Sequence, residues 1–128
     1  MAFYNFIAAR GGIMNILVVD DHLDTARVMS LLLERQGFNV KIATSVSEAM
    51  KLLSEPLDLL ISDLDLPDGS GLDIMRAISD KRVPGIALSG FAGDEDVQQS
   101  TDAGFQMHLT KPVDLPKLLS AIDMIGKK

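Results

Sequence analysis

From Met14 onward, apolar runs of strand length alternate with stretches of helical period, divided by short turns rich in Gly, Pro, Asp and Ser. Ile16 to Val19, Leu57 to Ile61 (interrupted by Asp58) and Ile86 to Leu88 are continuously apolar, which predicts strands covered on both faces of a parallel sheet. Asn39 to Ala43 alternates apolar with polar positions, as does Phe105 to Thr110, so these two are expected at opposite edges. Helical periodicity fills the gaps over Asp24 to Gln36, Val46 to Ser54, Gly71 to Ser79, Glu95 to Ala103 and Leu115 to Ile125. Gly37, Gly104 and Gly126 stop the first, fourth and fifth of these. Ser45 with Glu48 reads as a capping box, while Asp94 and Asp114 are placed to cap the fourth and fifth helices. The pattern is βαβαβαβαβα. With right-handed crossovers and one reversal of winding, it predicts an α/β fold: a doubly wound five-stranded parallel sheet, order 2-1-3-4-5, with five helices.

At 128 residues the chain is the size of one domain, and 47% hydrophobic against 23% charged residues excludes intrinsic disorder. A net charge of −6 has the wrong sign for a surface that neutralises phosphate backbones, so no direct contact with nucleic acid is expected. The absence of cysteine rules out disulfides and thiolate chemistry and fits a reducing, cytoplasmic setting. Residues 1–13 hold Phe3, Tyr4 and Phe6 and read as an N-terminal extension, with residues 14–128 as the domain proper. The extension lacks the charged start of a signal peptide and is too short to cross a bilayer, so no membrane insertion is expected. Its aromatics are expected to pack on a surface of this chain or of a neighbour.

Fourteen of the eighteen acidic residues are Asp, and their positions carry the chemistry. In an open α/β sheet the binding crevice lies beyond the carboxyl ends of the strands, where the winding reverses. The first strand ends in Asp20-Asp21, the third in Ser62-Asp63, the fourth in Ser89-Gly90 and the fifth in Thr110-Lys111-Pro112. Carboxylates brought to one rim repel one another unless a cation lies among them. Hard oxygen donors select Mg²⁺, Mn²⁺ or Ca²⁺, and a carboxylate beside such an ion can attack phosphorus to form an acyl phosphate. Lys111 would balance the added charge, and Ser89 would donate a hydrogen bond to a phosphoryl oxygen.

These residues make the chain from Met14 to about Ile125 resemble the receiver domain of bacterial two-component response regulators. The pieces are LVVDD, then DLDLPDGSG with Pro67 four and Gly71 eight positions after Asp63, then ALSG and LTKPVD. The resemblance implies a flavodoxin-like fold and an Asp-phosphorylated signalling switch rather than an enzyme. By it, Asp63 is the phosphoacceptor, and Asp20, Asp21, Asp63 and the backbone carbonyl of Asp65 hold Mg²⁺ or Mn²⁺. Ser89 is the switch hydroxyl and Lys111 the lysine of the KP motif. His108 stands where many members carry Tyr or Phe, and Phe91 is a bulky neighbour of Ser89. The implied partners are a histidine kinase or histidine phosphotransfer protein, a downstream protein effector and a second copy of the chain. The segment from ALSG to the last helix is also similar to receivers attached to hybrid histidine kinases. A stand-alone receiver, a phosphorelay intermediate and the receiver of a hybrid kinase all fit. Because the chain ends soon after the last helix, output is expected through another protein.

Other readings of the same residues are weaker. Asp63, Asp65, Asp68 and Gly69 imitate the start of an EF-hand loop, but Pro67 interrupts it and Ile74 stands where the closing glutamate belongs. His22 and His108 sit on different strand ends without helical pairing, which argues against a zinc pair. The second function class is a small Mg-dependent aspartyl-phosphate phosphatase of the haloacid dehalogenase type. There an Asp-x-Asp opens the domain, whereas here the acidic pair precedes Asp63 and no cap domain is available.

Overall fold

The computed structural model describes residues 14–90 and 93–126, so the extension of residues 1–13, with its expected aromatic packing, and Phe91 lie outside the described residues. The elements run β1 (Asn15–Val19), α1 (Leu23–Arg35), β2 (Asn39–Ala43), α2 (Val46–Leu52), β3 (Leu59–Asp63), α3 (Gly71–Ile78), β4 (Gly85–Ser89), α4 (Asp94–Ala103), β5 (Met107–Thr110) and α5 (Leu115–Gly126). The five strands form a parallel sheet in the order β2-β1-β3-β4-β5, the doubly wound, flavodoxin-like arrangement with β2 and β5 at its edges.

The period of two in a strand divides each central run between the two faces. Ile16 and Val18 of β1, Leu59 and Ile61 of β3, and Ile86 and Leu88 of β4 pack with Ala26 and Leu33 of α1 and Leu118, Ala121 and Ile122 of α5. Leu17, Val19, Leu60 and Ala87 point the other way. They meet Ala49 of α2, Ile74, Met75 and Ile78 of α3, and Ala103 of α4. The continuous apolar runs are therefore needed, because both faces of the central strands are covered. On α3 the buried positions are 71, 74, 75 and 78, one helical stripe.

Several boundaries differ from the sequence expectation. Strand β3 begins at Leu59 rather than Leu57, because Asp58 is taken up by Asn15: the Asp58 N–H donates to the Asn15 carbonyl (2.8 Å), and its carboxylate accepts from the Asn15 N–H (2.7 Å). β5 begins at Met107 rather than Phe105, whose N–H instead closes the end of α4 on the Ser100 carbonyl. Asp94 does not cap α4; Gly93 is the cap residue, and Asp94, Glu95 and Asp96 occupy the first turn, where negative charge suits the helix dipole. The box at Ser45 is half formed. Ser45 accepts from the Glu48 N–H, but Glu48 turns to the N–H and hydroxyl of Thr44. Asp114 does cap α5, accepting from the Lys117 N–H at 2.8 Å.

A short hairpin, Asp65–Leu66 with Gly69–Ser70, follows β3 and leads into α3 through a full capping box made by Ser70 and Asp73. Asp68, at its turn, accepts from the backbone N–H groups of Val46 (2.8 Å) and Ser47 (2.9 Å) and so caps α2 from a distance. Those two bonds hold its carboxyl below the ordinary aspartate range. Gly71 then brings the start of α3 hard against the end of β3. A Cβ there would lie 2.3 Å from the Asp63 carbonyl oxygen and 2.7 Å from Ser62 Oγ, both in the wall of the strand. Gly71→Ala is expected to lower the unfolding free energy by about 1–3 kcal/mol through overpacking. Urea denaturation would show this as a lower midpoint at an unchanged slope.

Candidate functional site

The ladder register levels the strand ends. Val19 pairs with Ser62, Ser62 with Ala87 and Ala87 with His108, so the next positions, Asp20, Asp63, Leu88 and Leu109, lie in one row. Asp20 is 1% and Asp63 6% exposed, too buried for two carboxylates to stay charged without a partner. The partner is Lys111. Its ammonium lies 2.8 Å from Asp63 Oδ2 and 3.4 Å from Asp20 Oδ2, and its backbone N–H donates to the Ser89 carbonyl at 2.7 Å. Lys111 thus crosses from the β5 end over β4 to reach β3 and β1. The Lys111–Pro112 peptide is cis.

Burial lifts the Asp63 carboxyl above the ordinary aspartate range. The hydrogen bond and charge of Lys111 and the Asp65 N–H pull it back without cancelling the lift, to which the charge of Asp20 adds. Burial works to lower the Lys111 ammonium. The hydrogen bond and charge of Asp63, joined by Asp20, outweigh it and hold Lys111 above its ordinary value.

Asp21 lies at the exposed rim of the same corner, and the side chain of Asp65 is exposed. Among the described residues, Asp20, Asp21 and His22 each offer a ligand atom, all within 4.8 Å of one another. With Asp63 joined to Asp20 through Lys111, the donors are mainly carboxylate oxygens, which suits a hard divalent cation. Beside them opens a cavity of about 510 Å³ lined by Asp20, His22, Met29, Leu88, Lys111 and Val113, wide enough for a phosphoryl group. Ser89 is buried at the end of β4, paired in register with Thr110.

The structure brings together Asp20, Asp63 and Lys111 directly, with Asp21 and Ser89 at the same end of the sheet. It leaves His108 farther back: level with Ala87, its Nδ1 lies 3.2 Å from the hydroxyl of Ser100 on α4. Ser100 Oγ also lies 2.9 Å from the Val97 carbonyl oxygen, to which it donates, so the hydroxyl bridges the ring and the backbone of α4. His108 Nε2 is buried and unpartnered among the described residues. Sequence reading missed Ser100, which resembles any helix-surface serine until its burial is known. It also missed the acid-facing turn of His22, for which its place after Asp20-Asp21 is the one available signal.

The profile of the response regulator receiver domain matches residues 16–123. An uncharacterized 14.6 kDa protein of Leptolyngbya boryana is 37% identical over 114 residues, which are 85% of this chain and 87% of that one. The response regulator protein PilR of Pseudomonas aeruginosa is 37% identical over 105 residues, covering 80% of this chain but 24% of PilR. The chain thus spans most of the first relative and about a quarter of the second. Among solved structures, a response regulator from Burkholderia pseudomallei with a phosphorylated aspartic acid, calcium ion and citrate aligns with a TM-score of 0.81 and 29% identity, over 89% of this chain and 69% of that one. Sequence, sheet order and site geometry agree: the chain belongs to the response regulator receiver domain family.

Proposed function

We propose that the chain is a phosphoacceptor switch of a two-component or phosphorelay system, phosphorylated on Asp63 in the presence of Mg²⁺ or Mn²⁺. The observation that carries this reading is the nearly buried Asp63 carboxylate, held beside Asp20 by the Lys111 ammonium, with Asp20 and Lys111 both lining the adjoining cavity. In this reading residues 14–128 are the receiver unit, and residues 1–13 precede it as an extension.

A carboxylate oxygen of Asp63 attacks phosphorus of a phosphohistidine on a kinase or phosphotransfer protein, or of acetyl phosphate. A P–O bond to Asp63 forms as the P–N or P–O bond to the donor breaks, and imidazole or acetate leaves. A divalent cation held by Asp20, Asp21, Asp63 and the Asp65 carbonyl would supply charge neutralisation for the incoming phosphoryl group. Lys111 gains an additional anionic partner as the Asp63 side chain goes from about −1 to about −2. Ser89, at the end of the neighbouring strand, donates its hydroxyl to a phosphoryl oxygen. His108, bonded to Ser100, ties any movement of the β4 and β5 ends to α4. Water later hydrolyses the acyl phosphate. Phe91 follows Ser89 closely enough in sequence to affect that rate. Output runs through a protein effector or a second copy of the chain, and the net charge of −6 supports a protein partner over nucleic acid.

The order of the acids supports this reading over the phosphatase alternative. The buried acid of the first strand precedes Asp63 in the chain, and Asp68, in the loop after Asp63, is engaged in capping α2.

Incubation with acetyl phosphate and Mg²⁺ is expected to label Asp63. Mass spectrometry of the wild-type and Asp63→Asn chains checks this, and full labelling of the variant would overturn the assignment. Lys111→Ala is expected to retain labelling but lose most of the accompanying amide shifts of the β4 and β5 ends in NMR spectra.

The raised pKa of Asp63 has a consequence for stability. As pH rises from the unfolded value of about 3.9 through the higher folded value, the unfolded chain gives up its proton first. Stability contributed by Asp63 therefore falls across that window, and the charged carboxylate costs stability at pH 7. Asp63→Asn is expected to melt several degrees above the wild type at pH 7, with the gap closing below pH 4; thermal melts across pH 3 to 7 measure it.

A further inference from the structure

His22 is the cap residue of α1, with extended backbone angles (φ −89°, ψ 96°), yet its side chain caps nothing. That position favours Ser, Thr, Asp or Asn, whose short oxygens bond the first-turn N–H groups. The imidazole is turned back on the acidic pair. Its Nδ1 lies 3.2 Å from Asp21 Oδ1 and 3.4 Å from Asp20 Oδ1, while the His22 N–H donates to Asp20 Oδ1 at 2.9 Å and fixes the turn. The ring is 72% exposed, so core packing does not account for its direction. Neighbouring ligands of a six-coordinate cation, each about 2.1 Å from the ion, stand about 3.0 Å apart. The spacings from the ring nitrogen to the two carboxylates are close to that edge.

We propose that His22 is a metal-selecting ligand. It adds a nitrogen donor to the carboxylates of Asp20 and Asp21, so that the site prefers first-row transition ions such as Co²⁺ over Mg²⁺. The inference rests on the reading of this corner as the cation site of a phosphoacceptor and deepens it. Carboxylate and carbonyl oxygens alone favour Mg²⁺, Ca²⁺ or Mn²⁺; imidazole is a softer donor that suits the later divalent metals, whose affinity for mixed nitrogen and oxygen sites rises from Mn²⁺ through Co²⁺ to Ni²⁺. Mg²⁺ holds its waters tightly and gains little from the ring. His22 therefore changes the ratio of the two affinities far more than it changes that for Mg²⁺.

Calorimetric titration of the full chain and of His22→Ala with Co²⁺ and, separately, Mg²⁺ tests this, with the visible absorption of bound Co²⁺ as a second readout. The exposed ring can be removed without opening the core, and circular dichroism confirms the fold. The expected result is a loss of about tenfold or more in Co²⁺ affinity, equivalent to about 1.4 kcal/mol, a Mg²⁺ affinity changed by less than about twofold, and a shifted Co²⁺ spectrum. An unchanged ratio of affinities overturns the proposal, and so does tighter binding of both ions by the variant, which would make the imidazole a counter-ion that competes with the metal. If the wild-type chain binds neither ion, both this inference and the cation-site reading fall; if it binds Mg²⁺ and the ratio does not move, only the role of His22 does.

Discussion

The structure depends on one ammonium shared by two nearly buried carboxylates. Asp20 and Asp63 end adjacent strands of the sheet, and unlike charge close by is what allows buried acids to stay ionised. Lys111 provides it from 48 residues beyond Asp63 and 91 beyond Asp20 in the chain. Its reach is set by the sheet: the Lys111 N–H is held on the Ser89 carbonyl, and Ser89 is paired in register with Thr110. A slip of one residue in β5 would turn its side chains to the opposite face and withdraw the ammonium. The site is therefore a property of the whole ladder rather than of any loop.

The balance is incomplete, and the imbalance is where chemistry enters. Asp63 remains above the ordinary aspartate range even with Lys111 in contact, so its negative charge is held against a net penalty. Any cation arriving at Asp20 and Asp21 relieves that penalty, and any added negative charge on Asp63 draws harder on Lys111. A corner balanced in this way responds strongly to charge, while the charged groups that set the balance, Asp20, Asp63 and Lys111, belong to neither apolar core.

Much of this was legible in the sequence, for a physical reason. Buried parallel strands must be apolar throughout, so the first polar residue after each run marks where the strand leaves the core, and Asp20, Asp63 and Lys111 stand at or just past such points. Ser89 closes a strand in the same way. The sheet order and the two edges were readable from the same runs. Contacts between elements distant in sequence were not. Asp68 looked like a loop acid until its carboxylate was seen on α2, 22 residues back. The tightness at Gly71 arises from the end of β3 lying beside it, which no local pattern encodes. Strand β3 begins late because Asp58 is bonded to Asn15, 43 residues back, and α4 begins one residue early because Gly93 rather than Asp94 takes the cap position.

The helices are not held equally, and this decides where a change at the rim can travel. Helix α3 buries Ile74, Met75 and Ile78 along one stripe. Helix α4 buries Ser100 and Ala103, two small side chains, and begins with three acids in its first turn. What α4 lacks in apolar contact it recovers in part through the bond from His108 to Ser100. A hydrogen bond contributes about 1 kcal/mol, less than the burial of one large aliphatic side chain. Displacing α4 therefore costs less than displacing α3. Its attachment to β5 runs through His108, three residues before Lys111, so a pull on the Lys111 ammonium acts on the strand that carries the ring bonded to α4.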